Sequence, residues 1–342
     1  MGVDLFFVLS GYLVGGQAFA WYARGQAPRW GGFMFRRTMR VLPAYLAVLG
    51  LYLWLPAWRE SPGMQPAWQF LTFTTNLLPD YFNSRAFSHA WSLCVEEHFY
   101  LLLPLAVSLL AWRPAAWKAL ALAVLFAGML LRGWAWQTQV APVLHLTSGP
   151  DAWLLRYVET VYNPTWARLD GLLVGALLAA VRLFRPAWWA WLTARPGIFL
   201  LVGAAVVAAT GKLLFAGMPN AATAVLGFPL LSLGLGCILL ACAAGQGWPG
   251  RLRVPGARAI ATLAFSLYLT HKSAYHLANT HLGMPAGGSG LLALAAYGGA
   301  ALACAGLLFL AVERPGLLLR DRLQRGGFRF SLPGSGWRRS TR

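Results

Sequence analysis

The chain has 342 residues, of which 58% are hydrophobic and 11% charged, and its 28 Lys and Arg outweigh 10 Asp and Glu to give a net charge of +18. A soluble domain carries about 25% charged residues, so this composition cannot cover a water-facing surface, and soluble globular, disordered and fibrous classes are excluded. Lipid offers no partner to free backbone groups, which leaves helices or a closed barrel. No sustained two-residue alternation of the barrel type occurs, so the expected fold class is all-α, a polytopic integral membrane helical bundle.

Crossing a hydrocarbon core of about 30 Å takes roughly 20 mostly apolar residues. Nine runs approach that length, at 3–20, 41–58, 91–111, 116–135, 166–184, 197–216, 222–244, 257–278 and 289–312. A weaker apolar segment at 68–78 is too short to span. Between the runs, five regions (21–40, 113–118, 182–195, 251–258 and the tail after 312) hold 21 of the 28 Lys and Arg. The positive-inside rule makes these regions and the C-terminus cytoplasmic, so the charge excess is a topology signal and nucleic acid is not an expected partner. Nine spans with a cytoplasmic C-terminus place Met1 outside without a basic leader, which predicts a further helix upstream of Met1. Cys94, Cys237, Cys242 and Cys304 form no CxxC pair; in apolar runs they are expected as small buried hydrophobes.

The first span opens on Gly2-Val-Asp-Leu-Phe-Phe, where Asp4 is a carboxylate at a helix end. Gly11 and Gly15 form a small-xxx-small pair suited to close helix packing. On the cytoplasmic side, Arg36, Arg37 and Arg40 bracket one turn, with Arg36 and Arg40 neighbours at i,i+4. Guanidinium forks match phosphate oxygens, and the same triplet also suits an anchor on lipid headgroups. The third span begins Trp91-Ser-Leu-Cys-Val-Glu-Glu-His; Glu96, Glu97 and His98 are ionisable residues in a membrane helix, a functional signal by default. Arg168 and Asp170 enter the fifth span too close in sequence to pair with each other, so each should bond another helix, with Glu96 or Glu97 the expected partner of Arg168. A structural ion pair and a substrate clamp are both open readings. In the eighth span Tyr268, His271 and Tyr275 share one face, placing an imidazole between two phenols as a proton carrier or an interior hydrogen bond. The five-residue spacing of His271, His276 and His281 does not suit a metal pair, and no metal is expected.

Six blocks carry a resemblance: GVDLFFVLSGYL at 2–13, FRRTMRVLP at 35–43, WSLCVEEHFYLLLP at 91–104, RLDGLLVG at 168–175, FSLYLTH at 265–271 and VERP at 312–315. In this order they resemble the acyltransferase 3 family of membrane-bound O-acyltransferases. The resemblance implies about ten spans, of which about nine are here, and an acyltransferase domain over 1–325 that lacks its first helix. Residues 326–342 are expected as a flexible basic cytoplasmic tail. It also implies transfer of an acyl group, usually acetyl, from cytoplasmic acyl-CoA to a hydroxyl of a cell-envelope carbohydrate, in a bacterial-type inner membrane. By the same resemblance Arg36, Arg37 and Arg40 form a basic loop near the CoA, and Glu96, Glu97, Arg168, Asp170 and His271 match polar motifs of the family; Asp4, Arg168, Asp170 and Tyr268 are expected as a substrate or structural polar network. The family's catalytic His belongs to the helix before GVDLFFVLSG, upstream of Met1, which leaves His271, with Glu96 and Glu97, as catalytic candidates here. The alternatives are a transporter or flippase of an anionic substrate, and an inactive membrane subunit.

Overall fold

The computed structural model describes all residues except 27, 113–115, 145–151, 216–219, 246–249, 252, 283–289 and 326–342; the expected tail therefore lies outside the described residues. The helices run α1 (Gly2–Ala23), α2 (Trp30–Trp54), a short α3 (Ala67–Leu71), α4 (Trp91–Trp112) and α5 (Trp117–Ala135). They continue with α6 (Ala152–Tyr157), α7 (Asp170–Phe184), α8 (Pro186–Thr193), α9 (Pro196–Phe215) and α10 (Ala221–Ala243). The last three are α11 (Ala257–Leu282), α12 (Leu291–Leu308) and α13 (Arg314–Arg325). Among the described residues the only β feature is one parallel bridge, Met64 to Ala86.

All nine expected runs fall on helix, but they are not equally apolar. Among the described residues six helices are long and apolar enough to cross a membrane, and a seventh arises if α7 and α8 form one bent span. α2 and α11 are long enough, at 25 and 26 residues, but α2 begins with Arg36, Arg37 and Arg40 ahead of its apolar run, and α11 carries His271 and Lys272. The fifth run departs from expectation. Its first residues form a separate turn at Thr165–Ala167, and the chain bends by 113° where Pro186 begins α8. The fifteen residues left in α7 rise only about 22 Å, short of the core thickness. The segment expected at 68–78 contributes only the single turn of α3.

Two compact units emerge. The first comprises Met1–Pro28, Phe73–Pro79 and Trp91–Leu252, and within it α1 lies directly on α7. A β-carbon on Gly11 would stand 2.1 Å from the Leu172 carbonyl oxygen, and one on Gly175 would stand 2.1 Å from that of Val8. The small residues thus let the two backbones touch, as the Gly11 and Gly15 pair predicts. Val8 of α1 joins Ala135, Trp136, Val140 and Val161 in a core closed by Phe228 and Leu231 of α10.

The second unit comprises Arg29–Thr72, Asp80–Ala90 and Arg253–Arg342. Its centre is an aromatic stack in which the fully buried Phe87 ring lies 4.5 Å from Tyr52, 5.5 Å from Phe70 and 5.8 Å from Tyr45. The Tyr45 hydroxyl donates to the Phe70 carbonyl at 2.9 Å, tying α2 to α3. Two expectations need correction here. The arginine segment is no loop, because Arg36, Arg37 and Arg40 lie within the continuous helix α2; no proline or glycine stands between them and Val41 to break it. Among the cysteines only Cys94 is buried, while Cys237 and Cys304 are partly exposed and Cys242 is exposed, since an outer helix face meets lipid where no protein covers it.

Gly11→Ala tests the α1–α7 seam. Its methyl meets a backbone oxygen that cannot rotate away, so the helices must part, and unfolding in detergent should show a loss of about 1–3 kcal/mol.

Candidate functional site

Two polar clusters hold the predicted residues, one in each unit. In the first unit, Arg168 is 2% exposed and bonds the Asp4 carboxylate, itself 3% exposed. This corrects the expected pairing with Glu96 or Glu97: α1 lies against the start of α7, so its carboxylate reaches the guanidinium. The rings of Phe228 and Tyr162 cover Arg168 at 4.0 and 4.6 Å, with Trp91 at 5.6 Å, supplying cation–π attraction in a desolvated setting. Asp170 is held by Arg132 of α5, whose Nη1 donates to Oδ2 at 2.7 Å and also to the Ala167 carbonyl at 2.5 Å. Its Nη2 donates to the Val225 carbonyl of α10 at 3.1 Å. No cavity that could hold a water remains among Asp4, Phe7, Arg168, Asp170 and Phe228. Arg168 Nη1 and Asp4 Oδ2 are buried there without a hydrogen-bond partner.

The rest of that unit's predicted residues lie on α4. Glu96 is buried and Glu97 partly so, both on α4. One turn away the Ser10 hydroxyl bonds the Tyr100 hydroxyl. His98 bonds Thr165 Oγ1 at 2.7 Å, and that oxygen also accepts from Asn76 Nδ2 at 2.8 Å. The adjacent residues Glu96, Glu97 and His98 thus diverge around the helix, as the 100° step requires.

The second unit assembles a different cluster around His271, at the C-terminal end of α2. Arg59 closes α2 by donating Nε to the Tyr52 carbonyl at 2.6 Å and Nη2 to that of Leu53 at 3.1 Å. Glu60 follows at once and clamps the loop: Oε2 accepts from the Tyr52 hydroxyl at 2.8 Å and Oε1 from the Phe87 backbone N–H at 3.1 Å. Phe87 adopts φ of 57°, a conformation that a non-glycine residue holds only when its surroundings over-determine it. That turn delivers Ser88 and His89.

His89 Nε2 lies 3.1 Å from the Leu269 carbonyl and His271 Nδ1 lies 2.7 Å from the Tyr268 carbonyl. A carbonyl only accepts, so each neutral ring carries its proton at that nitrogen and keeps a lone pair on the other: Nδ1 in His89 and Nε2 in His271. The two rings are 4.8 Å apart. His89 is 6% exposed, and its Nδ1 has no hydrogen-bond partner. Lys272 Nζ donates to Ser88 Oγ at 2.6 Å and lies 3.9 Å from Glu60 Oε1. Tyr268 and Tyr275 flank His271 at 5.7 and 6.0 Å between ring centres, as their spacing predicts. The Tyr268 hydroxyl, however, serves the His89 carbonyl, at 2.7 Å. Among the described residues no group of three His, Cys, Asp or Glu could hold a metal.

Arg36 and Arg40, toward the start of α2, are exposed and Arg37 is partly so. Sequence reasoning missed Arg132, Glu60, His89 and Lys272. For Arg132 and Lys272 the signal was present, a charge inside an apolar run. For Glu60 and His89 there was none, because both lie in the loop and gain meaning only from what they meet.

A family model for an acyltransferase domain matches residues 1–310. The chain belongs to this family. It is an integral membrane protein. The chain is 29% identical over 193 residues to the O-acetyltransferase OatA of Staphylococcus aureus, an alignment covering 53% of this chain and 30% of OatA. It is 30% identical over 118 residues to the putative peptidoglycan O-acetyltransferase YrhL of Bacillus subtilis, covering 31% of this chain and 19% of YrhL. It is 24% identical over 208 residues to nodulation protein 10 of Rhizobium leguminosarum bv. viciae, covering 55% and 52%. These alignments span less than a third of OatA and YrhL and about half of nodulation protein 10. No solved structure matches the chain.

The structural role of the first cluster is testable by unfolding in detergent. Asp170→Ala leaves Arg132 buried without its counter-charge and should cost about 3–5 kcal/mol, whereas Arg132→Leu combined with Asp170→Leu should recover most of that loss.

Proposed function

We propose that this protein is a membrane-bound O-acyltransferase that moves an acyl group, in first place acetyl, from acyl-CoA to a hydroxyl of a cell-envelope carbohydrate. Family membership and the O-acetyltransferase names of two relatives support the reaction class. The observation that carries the reading is the imidazole pair His89 and His271, whose lone-pair nitrogens are set by bonds to backbone carbonyls. Such a nitrogen is what removal of a hydroxyl proton requires.

In this reading the acceptor oxygen attacks the thioester carbonyl carbon while its proton passes to His271 Nε2. The new carbon–oxygen bond forms, the carbon–sulfur bond breaks, and the proton leaves with the CoA thiolate as free thiol. Lys272, held by Ser88 and beside Glu60, places a positive charge near the developing oxyanion. Glu96 and Glu97 have no step in this scheme. Arg36, Arg37 and Arg40 bind the donor's phosphates from the cytoplasmic side, with the C-terminus on that side of a bacterial-type inner membrane and the lipid bilayer as the standing partner.

Membranes carrying the full chain, supplied with acetyl-CoA labelled in its acetyl group, should pass label to envelope carbohydrate. His271→Ala should slow the transfer by about 10²–10⁴-fold, while His276→Ala on the same helix should not. Absence of label transfer by the unaltered protein overturns the reading, and vesicle uptake of an anionic solute without thioester consumption would replace it with transport.

A further inference from the structure

The proposed donor site was assembled from one helix, and a second helix of the same unit brings another arginine to it. Ser266 Oγ donates to Glu313 Oε2 at 2.6 Å, and both residues are buried, so the turn before α13 is pinned to α11. Just beyond it Gly316 lies against α2: a β-carbon there would sit 3.4 Å from Pro43 Cγ and 3.7 Å from the Met39 carbonyl oxygen. Arg320 follows one turn later along α13, and Arg36 stands about one turn back along α2 from Met39. The two guanidinium groups therefore share one end of the helix pair. The two charges are near enough to act on each other.

Like charges so placed repel unless an anion lies between them. Residues 21–43 contain no acid, and α13 has Asp321 alone against Arg314, Arg320, Arg322 and Arg325. Asp321 is committed: its Oδ1 accepts from Arg320 Nε at 2.9 Å and Nη2 at 2.7 Å. That bond holds the Arg320 fork in place and leaves its Nη1 edge to meet a further acceptor.

We propose that Arg320 completes, together with Arg36, a clamp for a phosphate group, and that this phosphate belongs to the nucleotide portion of the thioester donor. The proposal rests on the acyl-CoA reading above. Planar guanidinium forks suit phosphate oxygens bidentately. An anionic lipid headgroup offers the same chemistry, but the exposed Arg314, Arg322 and Arg325 are the ones placed for it. Arg320 lies on the covered side of α13, its side chain 23% exposed, where a ligand held by the protein reaches it.

The experiment measures CoA binding to the full chain in nanodiscs of zwitterionic lipid, and in parallel the binding of the same protein to phosphatidylglycerol. Arg320→Gln should weaken CoA binding about tenfold, the loss expected for one charged hydrogen-bonding group. Arg322→Gln, on the opposite side of α13, should leave CoA binding unchanged. A matched melting temperature for both variants separates this loss from misfolding. If Arg320→Gln binds CoA as the unaltered protein does, or loses only phosphatidylglycerol binding, the clamp is overturned while the donor reading stands. If the unaltered protein binds no CoA, the donor reading falls and takes the clamp with it.

Discussion

The first unit depends on the burial of two guanidinium groups. Arg168 and Arg132 are 2% and 0% exposed, and an ion taken out of water costs several kcal/mol unless its partners are supplied with good geometry. Every neighbouring element responds to that demand. α1 brings Asp4, α7 brings Asp170, α10 contributes the Phe228 ring and the Val225 carbonyl, and α4 begins with Trp91 against the same charge. Asp4 can reach Arg168 only because Gly11 and Gly175 let α1 and α7 touch at backbone distance. The glycine seam and the ion pair are thus one device: the first sets the approach, and the second sets the register along it.

The second unit solves a different problem. Its polar residues surround an irregular loop, whose backbone needs partners that a membrane does not offer. Glu60 provides them by joining the end of α2 to the Phe87 N–H, and the aromatic stack holds Phe87 in its left-handed conformation. The contrast between the clusters matters for function. Around Arg168 and Arg132 buried guanidinium groups face buried carboxylates. Around His271 two rings bond backbone carbonyls through one nitrogen each and a cation stands near, the arrangement on which the proposed proton transfer rests.

Helix positions were legible in the sequence because a hydrophobic run of fixed length has few alternatives in lipid, and the Gly11 and Gly15 pair signalled close packing by itself. The bend after Phe184 was less so: Pro186 ends the run, but only packing tells whether a proline kinks a span or starts a new helix. The partners of charged residues were not legible. Arg168 had several acids within reach on paper, and the choice of Asp4 over Glu96 follows from which helix lies alongside. Arg132 was visible as a charge in an apolar run, while its bond to Asp170 was not.

By itself the sequence determined the class of molecule, its helices, the chemistry of its blocks and the family to which it belongs. These are properties of composition and local period, and they survive whatever the helices do to one another. Tertiary structure alone decided which charges pair, that His89 stands beside His271, and that α13 meets α2 at Gly316. Each of these joins residues far apart in the chain, and a burial cost is met only by whatever group the packing brings within hydrogen-bonding distance.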